Sequence, residues 1–283
     1  MFKRNDCAAW VVPLFPCAIL LCILAVLSGC SRDSSATRIQ LSGSSTLGPL
    51  AEEIGKRYEE LNPGVRIEVQ TGGSSRGIAE AKSGLADIGM SSRALKSSEK
   101  DGRIAWPIAM DGVCFIVHKN NPVGELSRAQ LLSILNGDID NWSELGGAEG
   151  SIIFINRAAG RSELELVTKF FDVKSAEINV DLVAGENQQG IKMVATTPKS
   201  ICYMSVGASE DAIQHGEAIR TLPLDGVEAS VSNVESGKFP LSRPLIFVTN
   251  DQPTEALTDF INFAQSDQVV DLLRELSYVP ISK

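Results

Sequence analysis

Three stretches of the chain place hydroxyls, glycines and arginines where a strand-like run gives way to a helix-like one. They are Gly43-Ser44-Ser45-Thr46-Leu47, Gly73-Ser74-Ser75-Arg76-Gly77 and Asn156-Arg157-Ala158-Ala159-Gly160-Arg161-Ser162-Glu163. The second fits the G-x-S-x-G turn that presents a nucleophilic serine, with Ser75 at the reactive position. The same residue types also suit a small anion. A helix start offers unpaired amides and a partial positive charge. Serine and threonine add hydroxyl donors, and arginine adds a charged planar fork. Three such loops meeting at one point would hold a tetrahedral oxyanion, and Ser91-Ser92-Arg93 is a fourth contributor. Each loop also has a plainer use, because serine at a helix start is first of all a cap. Ser162 with Glu165 three residues on makes a capping box by sequence.

The enzyme reading asks for more than the sequence offers. A hydrolase elbow follows several strands, and only about two fit between Thr37 and Gly73. Its base should be a late histidine. The two histidines, His118 and His215, both read as surface residues. There is no HExxH and no cysteine–histidine metal spacing, so neither a metal nor a cofactor is expected. A formal charge of −9 with no basic run disfavours nucleic acid as a partner.

The elements that must position these loops alternate. "RIQLSG" reads as a strand, and Leu47, Leu50, Ala51, Ile54, Tyr58 and Leu61 then recur at helical spacing until Asn62-Pro63-Gly64. "VRIEV" and "ADIGMSS" are strands around the helical "GIAEAKSG", and Ile104 to His118 is a long extended apolar stretch. "LSRAQLLSIL", "SIIFIN", "SELELVTKFF", "SICYMSV" and "RPLIFVT" continue the alternation, and two helical segments follow from Glu255 to about Gln265 and from Asp267 to Leu276. This argues an α/β fold with largely parallel sheets, in which such loops gather at the carboxyl ends of strands, where ligands bind. No internal repeat and no low-complexity stretch interrupts it.

The N-terminus reads as an export signal. Lys3 and Arg4 precede an apolar run from Ala8 to Leu27, and Leu27-Ser28-Gly29-Cys30 resembles the lipobox of bacterial lipoproteins. On that reading residues 1–29 are removed, Cys30 carries lipid and 30–37 form a tether. An uncleaved membrane anchor is the rival. Cys7, Cys17 and Cys22 leave with the signal, while Cys114 and Cys202 sit in apolar runs as two buried thiols, with a disulfide as the alternative.

At the chemistry-bearing loops the chain resembles the PstS proteins, the phosphate-binding solute receptors of bacterial ABC transporters. The resemblance rests on "LSGSSTLGPLAEEIGKRYEELNPGV", "TGGSSRGIAEAKSGLADIGMSSR", "NGDIDNWSELGG", "INRAAGRSELELVTKFF" and "YVPIS", in that order over nearly the whole exported chain. It implies a two-lobed periplasmic-binding-protein fold of type II, a Venus flytrap with hinge strands. Residues 38–112 plus 239–283 would form lobe 1 and 113–238 lobe 2. It implies inorganic phosphate as ligand, membrane permease subunits as partners, no catalysis, a monomer, and an extracytoplasmic, lipid-anchored place in the cell envelope.

Residue by residue, it puts Ser45, Thr46 and Leu47 at the anion through their amides, Ser74 through its hydroxyl, and Arg157 as the charged anchor. Arg161, Ser162 and Glu163 stand where the family has small residues and threonine in a G-S-G-T turn. Ser92 stands where some members carry an aspartate that accepts the proton of bound phosphate. Glu163 could supply that acceptor, or face solvent in the first turn of its helix. The altered turn keeps open another oxyanion, such as molybdate, tungstate or sulfate. A sensory or adhesive surface lipoprotein with vestigial binding is a third reading.

Overall fold

The computed structural model describes residues 37–281. The signal, Cys30, most of the tether and the three leader cysteines lie outside the described residues. Periodicity sets the first elements. After β1 (Thr37–Gly43), α1 (Gly48–Leu61) buries Leu50, Ala51, Ile54 and Tyr58, one face at three-and-four spacing. A proline stands in its first turn, where the missing N–H is not needed. β2 (Val65–Thr71), α2 (Ser74–Ser83) and β3 (Ile88–Ser91) complete the first part. β4 (Arg103–His118) is the long apolar stretch.

The middle of the chain repeats the alternation with α3 (Arg128–Asn136), β5 (Ile153–Arg157), α4 (Ser162–Phe171), β6 (Leu182–Ala184) and α5 (Asn187–Thr196). β7 (Ser200–Ser205), α6 (Val206–Gln214) and β8 (Ile219–Leu222) follow. The last part holds α7 (Val231–Glu235), β9 (Ser242–Asn250), α8 (Glu255–Ala264), α9 (Val270–Glu275) and β10 (Val279–Pro280).

The strands run in the order β2-β1-β3-β9-β4-β7-β5-β6, with β8 and β10 also paired to β4. The expectation of largely parallel pairing needs correction. β1 is parallel to β2 and β3, and β5 to β6 and β7. Everything on β4 and β9 is antiparallel. These two long strands lie against each other from Arg103↔Asn250 to Gly112↔Ser242, with a register shift between Pro107 and Ala109. Apolar periodicity reports which faces are buried and is silent on strand direction.

Within one compact unit there are two large apolar cores. One gathers Leu41, Leu50, Ile54, Ile88, Phe247 and Phe260 around β1, β3, β9, α1 and α8. The other gathers Val117, Leu135, Phe154, Val167, Ile191 and Met204 around the second half of β4 with β5, β7 and their helices. β4 passes from the first core, at Ile108 and Ala109, into the second, at Val113 to Val117. The return segment makes the reverse crossing, with Phe239 and Leu241 in one core and Leu245 and Phe247 in the other. Among the described residues no helix is long and apolar enough to cross a membrane.

Candidate anion-binding site

The carboxyl ends of β1, β2 and β3 are stitched together by main-chain bonds. The Gly43 carbonyl accepts from the amides of Gly72 and Gly73, each at 2.8 Å, and the Ser44 amide donates to Met90 O at 2.9 Å. This close approach explains two glycines. A Cβ at Gly43, whose φ is +136°, would stand 2.2 Å from Met90 O, and one at Gly77 2.3 Å from Ser42 O. The loops after these strands are thereby fixed side by side.

Their hydroxyls form one network with the start of α4. Ser44 Oγ donates to Ser92 Oγ at 3.0 Å, and Ser74 Oγ accepts from the Ser92 amide at 3.1 Å. Ser92 Oγ lies 2.6 Å from Ser162 Oγ. Ser44, Thr46, Ser74, Ser92 and Ser162 are all buried. The Ser75 amide also donates to Gly160 O at 3.2 Å, so loops built on different cores meet directly.

Two arginines reach this network. Arg157, at the end of β5, is fully buried; it donates to Glu186 O at 2.9 Å and to Asn187 Oδ1 at 3.1 Å. Its Nε has no hydrogen-bond partner among the described residues. Arg243, at the start of β9, donates to Asp111 Oδ2 at 2.9 Å, Ser162 Oγ at 2.9 Å, Thr46 Oγ1 at 3.1 Å and Glu163 Oε1 at 3.0 Å. Thr46 Oγ1 in turn donates to Glu163 Oε1 at 3.1 Å and accepts from Asn187 Nδ2 at 3.2 Å.

Glu163 does not face solvent; it is 2% exposed at the centre of this cluster. Burial alone would raise its pKa, but Arg243 and then Arg157, 3.9 Å away, outweigh it and bring the carboxyl down to about 2. It is therefore an ionised, acceptor-only group at neutral pH. Arg157, Arg243, Asp111 and Glu163 together carry no net charge.

Several sequence expectations need correction in detail. Ser162 is not the cap of α4. Arg161 holds that position in extended conformation with no side-chain cap bond, and the Ser162 hydroxyl is drawn to Ser92 and Arg243 instead. Glu165 is likewise taken up elsewhere, by Ser75 Oγ at 2.9 Å and by Arg93 and Lys96. The amides of Thr46 and Leu47 donate to Ser44 Oγ at 3.2 and 3.3 Å. Leu47 itself is in the core, and Ser45 is half-buried in the same turn. Arg161 stands aside from the hydroxyl network, paired with Glu186 at 2.8 Å. Thr46, Ser74, Ser92, Arg157, Ser162 and Glu163 do come together.

No histidine serves Ser75. His118 is buried rather than exposed, and its Nδ1 accepts from the Asn120 amide at 3.2 Å. His215 is exposed beside Asp211. Cys114 and Cys202 are free, buried thiols on the paired strands β4 and β7.

Sequence reasoning missed Arg243, Asp111 and Asn187. A signal existed for the first two. Each is a charge inside an apolar extended run, "AMDGVCFIV" and "RPLIFVT", where a buried charge must find a partner. Asn187, the first residue of α5, gave none.

A family model described as a PBP superfamily domain matches residues 31–268. Among characterised relatives, the phosphate-binding protein PstS of Borreliella burgdorferi is 28% identical over 272 residues, covering 93% of this chain and 97% of the relative. That of Bacillus subtilis is 25% identical over 257 residues, covering 89% and 83%. Among solved structures, a putative phosphate ABC transporter substrate-binding protein with bound phosphate from Clostridium perfringens superposes with a TM-score of 0.81 at 31% identity, covering 87% of this chain and all of that one. An ABC-type phosphate transport receptor from Vibrio cholerae gives a TM-score of 0.71 at 26% identity, covering 85% and 99%.

Proposed function

We propose that this chain, which belongs to the PBP superfamily, is a phosphate receptor of an ABC importer. One observation carries the reading. A relative crystallised with phosphate is similar over its whole length, and here the loops after β1, β2, β3 and β5 converge on one buried cluster of hydroxyls and guanidinium groups. Such donors suit a small oxyanion. The roles follow from position. Ser74, Ser92 and Ser162 donate hydroxyls, Arg157 supplies fixed positive charge, and Thr46 completes the wall.

Binding rather than bond-breaking is the proposed activity. Residues 38–112 and 239–283 act as one lobe and 113–238 as the other. They hinge where β4 and the segment before β9 pass between the two cores. Phosphate that touches both lobes favours the closed arrangement. The protein then delivers its ligand to permease subunits from the extracytoplasmic side, held as a monomer on the membrane through lipid on Cys30.

A thermal-shift panel tests this. Phosphate at a hundred times its Kd should stabilise the fold by about 2.7 kcal/mol. Molybdate, tungstate and sulfate should give little. A shift with one of those three and none with phosphate would overturn the choice of ligand.

A further inference from the structure

The donors at the middle of the cluster are already claimed, and the group that claims them is a carboxylate of the chain itself. Glu163 Oε1 accepts the Thr46 hydroxyl at 3.1 Å and the Arg243 guanidinium at 3.0 Å, and Oε2 stands 3.9 Å from Arg157. A hydroxyl and two guanidinium groups around paired anionic oxygens are also what an inorganic oxyanion asks of a site. The sequence points the same way. The turn that carries Glu163 offers Gly160-Arg161-Ser162-Glu163, so the acid enters in the first turn of α4, between Arg157 and Thr46.

We infer that Glu163 is an internal competitor for the anion site: its carboxylate and an incoming oxyanion claim the same hydroxyl and guanidinium donors, so phosphate binds by displacing it. The inference rests on the proposed function of this cluster as an anion site.

Charge and connectivity both support it. Glu163 and Asp111 between them balance Arg157 and Arg243, so a dianion entering beside Glu163 meets a site with no surplus positive charge and a like charge in contact range. Glu163 belongs to α4, which packs on the second core, whereas Thr46 precedes α1 in the first. Its bond to Thr46 spans the two, as does the bond from Ser75 to Gly160. The carboxylate thus closes the same contact that a ligand would close. The apparent Kd of the protein is then the intrinsic Kd divided by the fraction of molecules in which Glu163 has released its donors.

Titration calorimetry with inorganic phosphate tests this on the purified chain. Glu163→Gln keeps the shape and removes the charge, and should lower the phosphate Kd by about tenfold or more. Glu163→Ala removes the competitor altogether. Its melting temperature should fall without phosphate and recover with it, by a larger phosphate-dependent rise than the wild type shows. A purely structural Glu163 would lower the melting temperature and leave that rise unchanged. Where a neutral variant does not fold, Glu163→Asp carries the test, because a shorter arm holds Thr46 less well and should also tighten phosphate. Equal or weaker phosphate binding in the variants, with the wild type binding, overturns the competitor and leaves the anion site standing. That is also the result expected if Glu163 instead accepted a proton from the ligand. Absence of phosphate binding in every form overturns both.

Discussion

Arg243 and Glu163 lie 80 residues apart in the chain and 3.0 Å apart at Nη2 and Oε1. One stands at the start of β9 and the other in the first turn of α4, so the pair ties the crossing segment to the loops of the candidate site. Both are almost fully buried, and Asp111 holds the other side of the guanidinium.

Removing the arginine should therefore cost more than a surface ion pair would. Arg243→Ala strands two buried carboxylates, a loss of roughly 3–5 kcal/mol. Urea denaturation measures it. A change below about 1 kcal/mol would mean that Asp111 and Glu163 are not dependent on this guanidinium.

The same pair predicts a pH dependence. The Glu163 carboxyl falls from 4.5 to about 2 on folding, with burial opposing the arginines that lower it. A depressed folded pKa stabilises above the unfolded value and is lost as pH falls. The contribution should be complete above pH ~4.5 and disappear toward pH 2, on the order of 3 kcal/mol. Comparing acid denaturation of the wild type with Glu163→Gln isolates it. The gap between the two should narrow across that window, and a constant gap would contradict the assignment.

Gly77 should resist any side chain. Its Cβ would meet Ser42 O, Gly43 Cα and Met90 O, the nearest at 2.3 Å and all of them main chain. Gly77→Ala should cost ~1–3 kcal/mol and weaken phosphate binding by moving the first two loops apart. Unchanged melting would show that the strand ends are looser than these main-chain distances imply.

The two thiols should be inert in the folded protein. Burial pushes Cys114 and Cys202 up to about 12, so almost no thiolate forms at neutral pH. Peptide-resolved alkylation should leave both unmodified until denaturant is added. Rapid modification of either without denaturant would contradict their burial.

The alternation of elements and the loops at strand ends were legible because each strand and helix carries its own apolar period. Strand direction was not, since β4 and β9 look the same to a period whichever way they run. The capping box at Ser162 failed for a tertiary reason. Its hydroxyl was worth more to Ser92 and Arg243 than to its own helix. α5 went unread because Gly190 interrupts its pattern; the Met204 side chain packs there, with Sδ 2.8 Å from where a Cβ would stand. Arg243 was visible as a charge in an apolar run, but its partners, 132 and 80 residues away, were not.

The most direct measurement is a crystal structure of the chain grown with phosphate. One phosphate is expected within hydrogen-bonding distance of Ser74, Ser92 and Arg157, with the Glu163 carboxylate moved off Thr46. Phosphate bound away from these residues, or crystals in which saturating phosphate leaves the Thr46–Glu163 bond intact and no anion on Arg157, would contradict it.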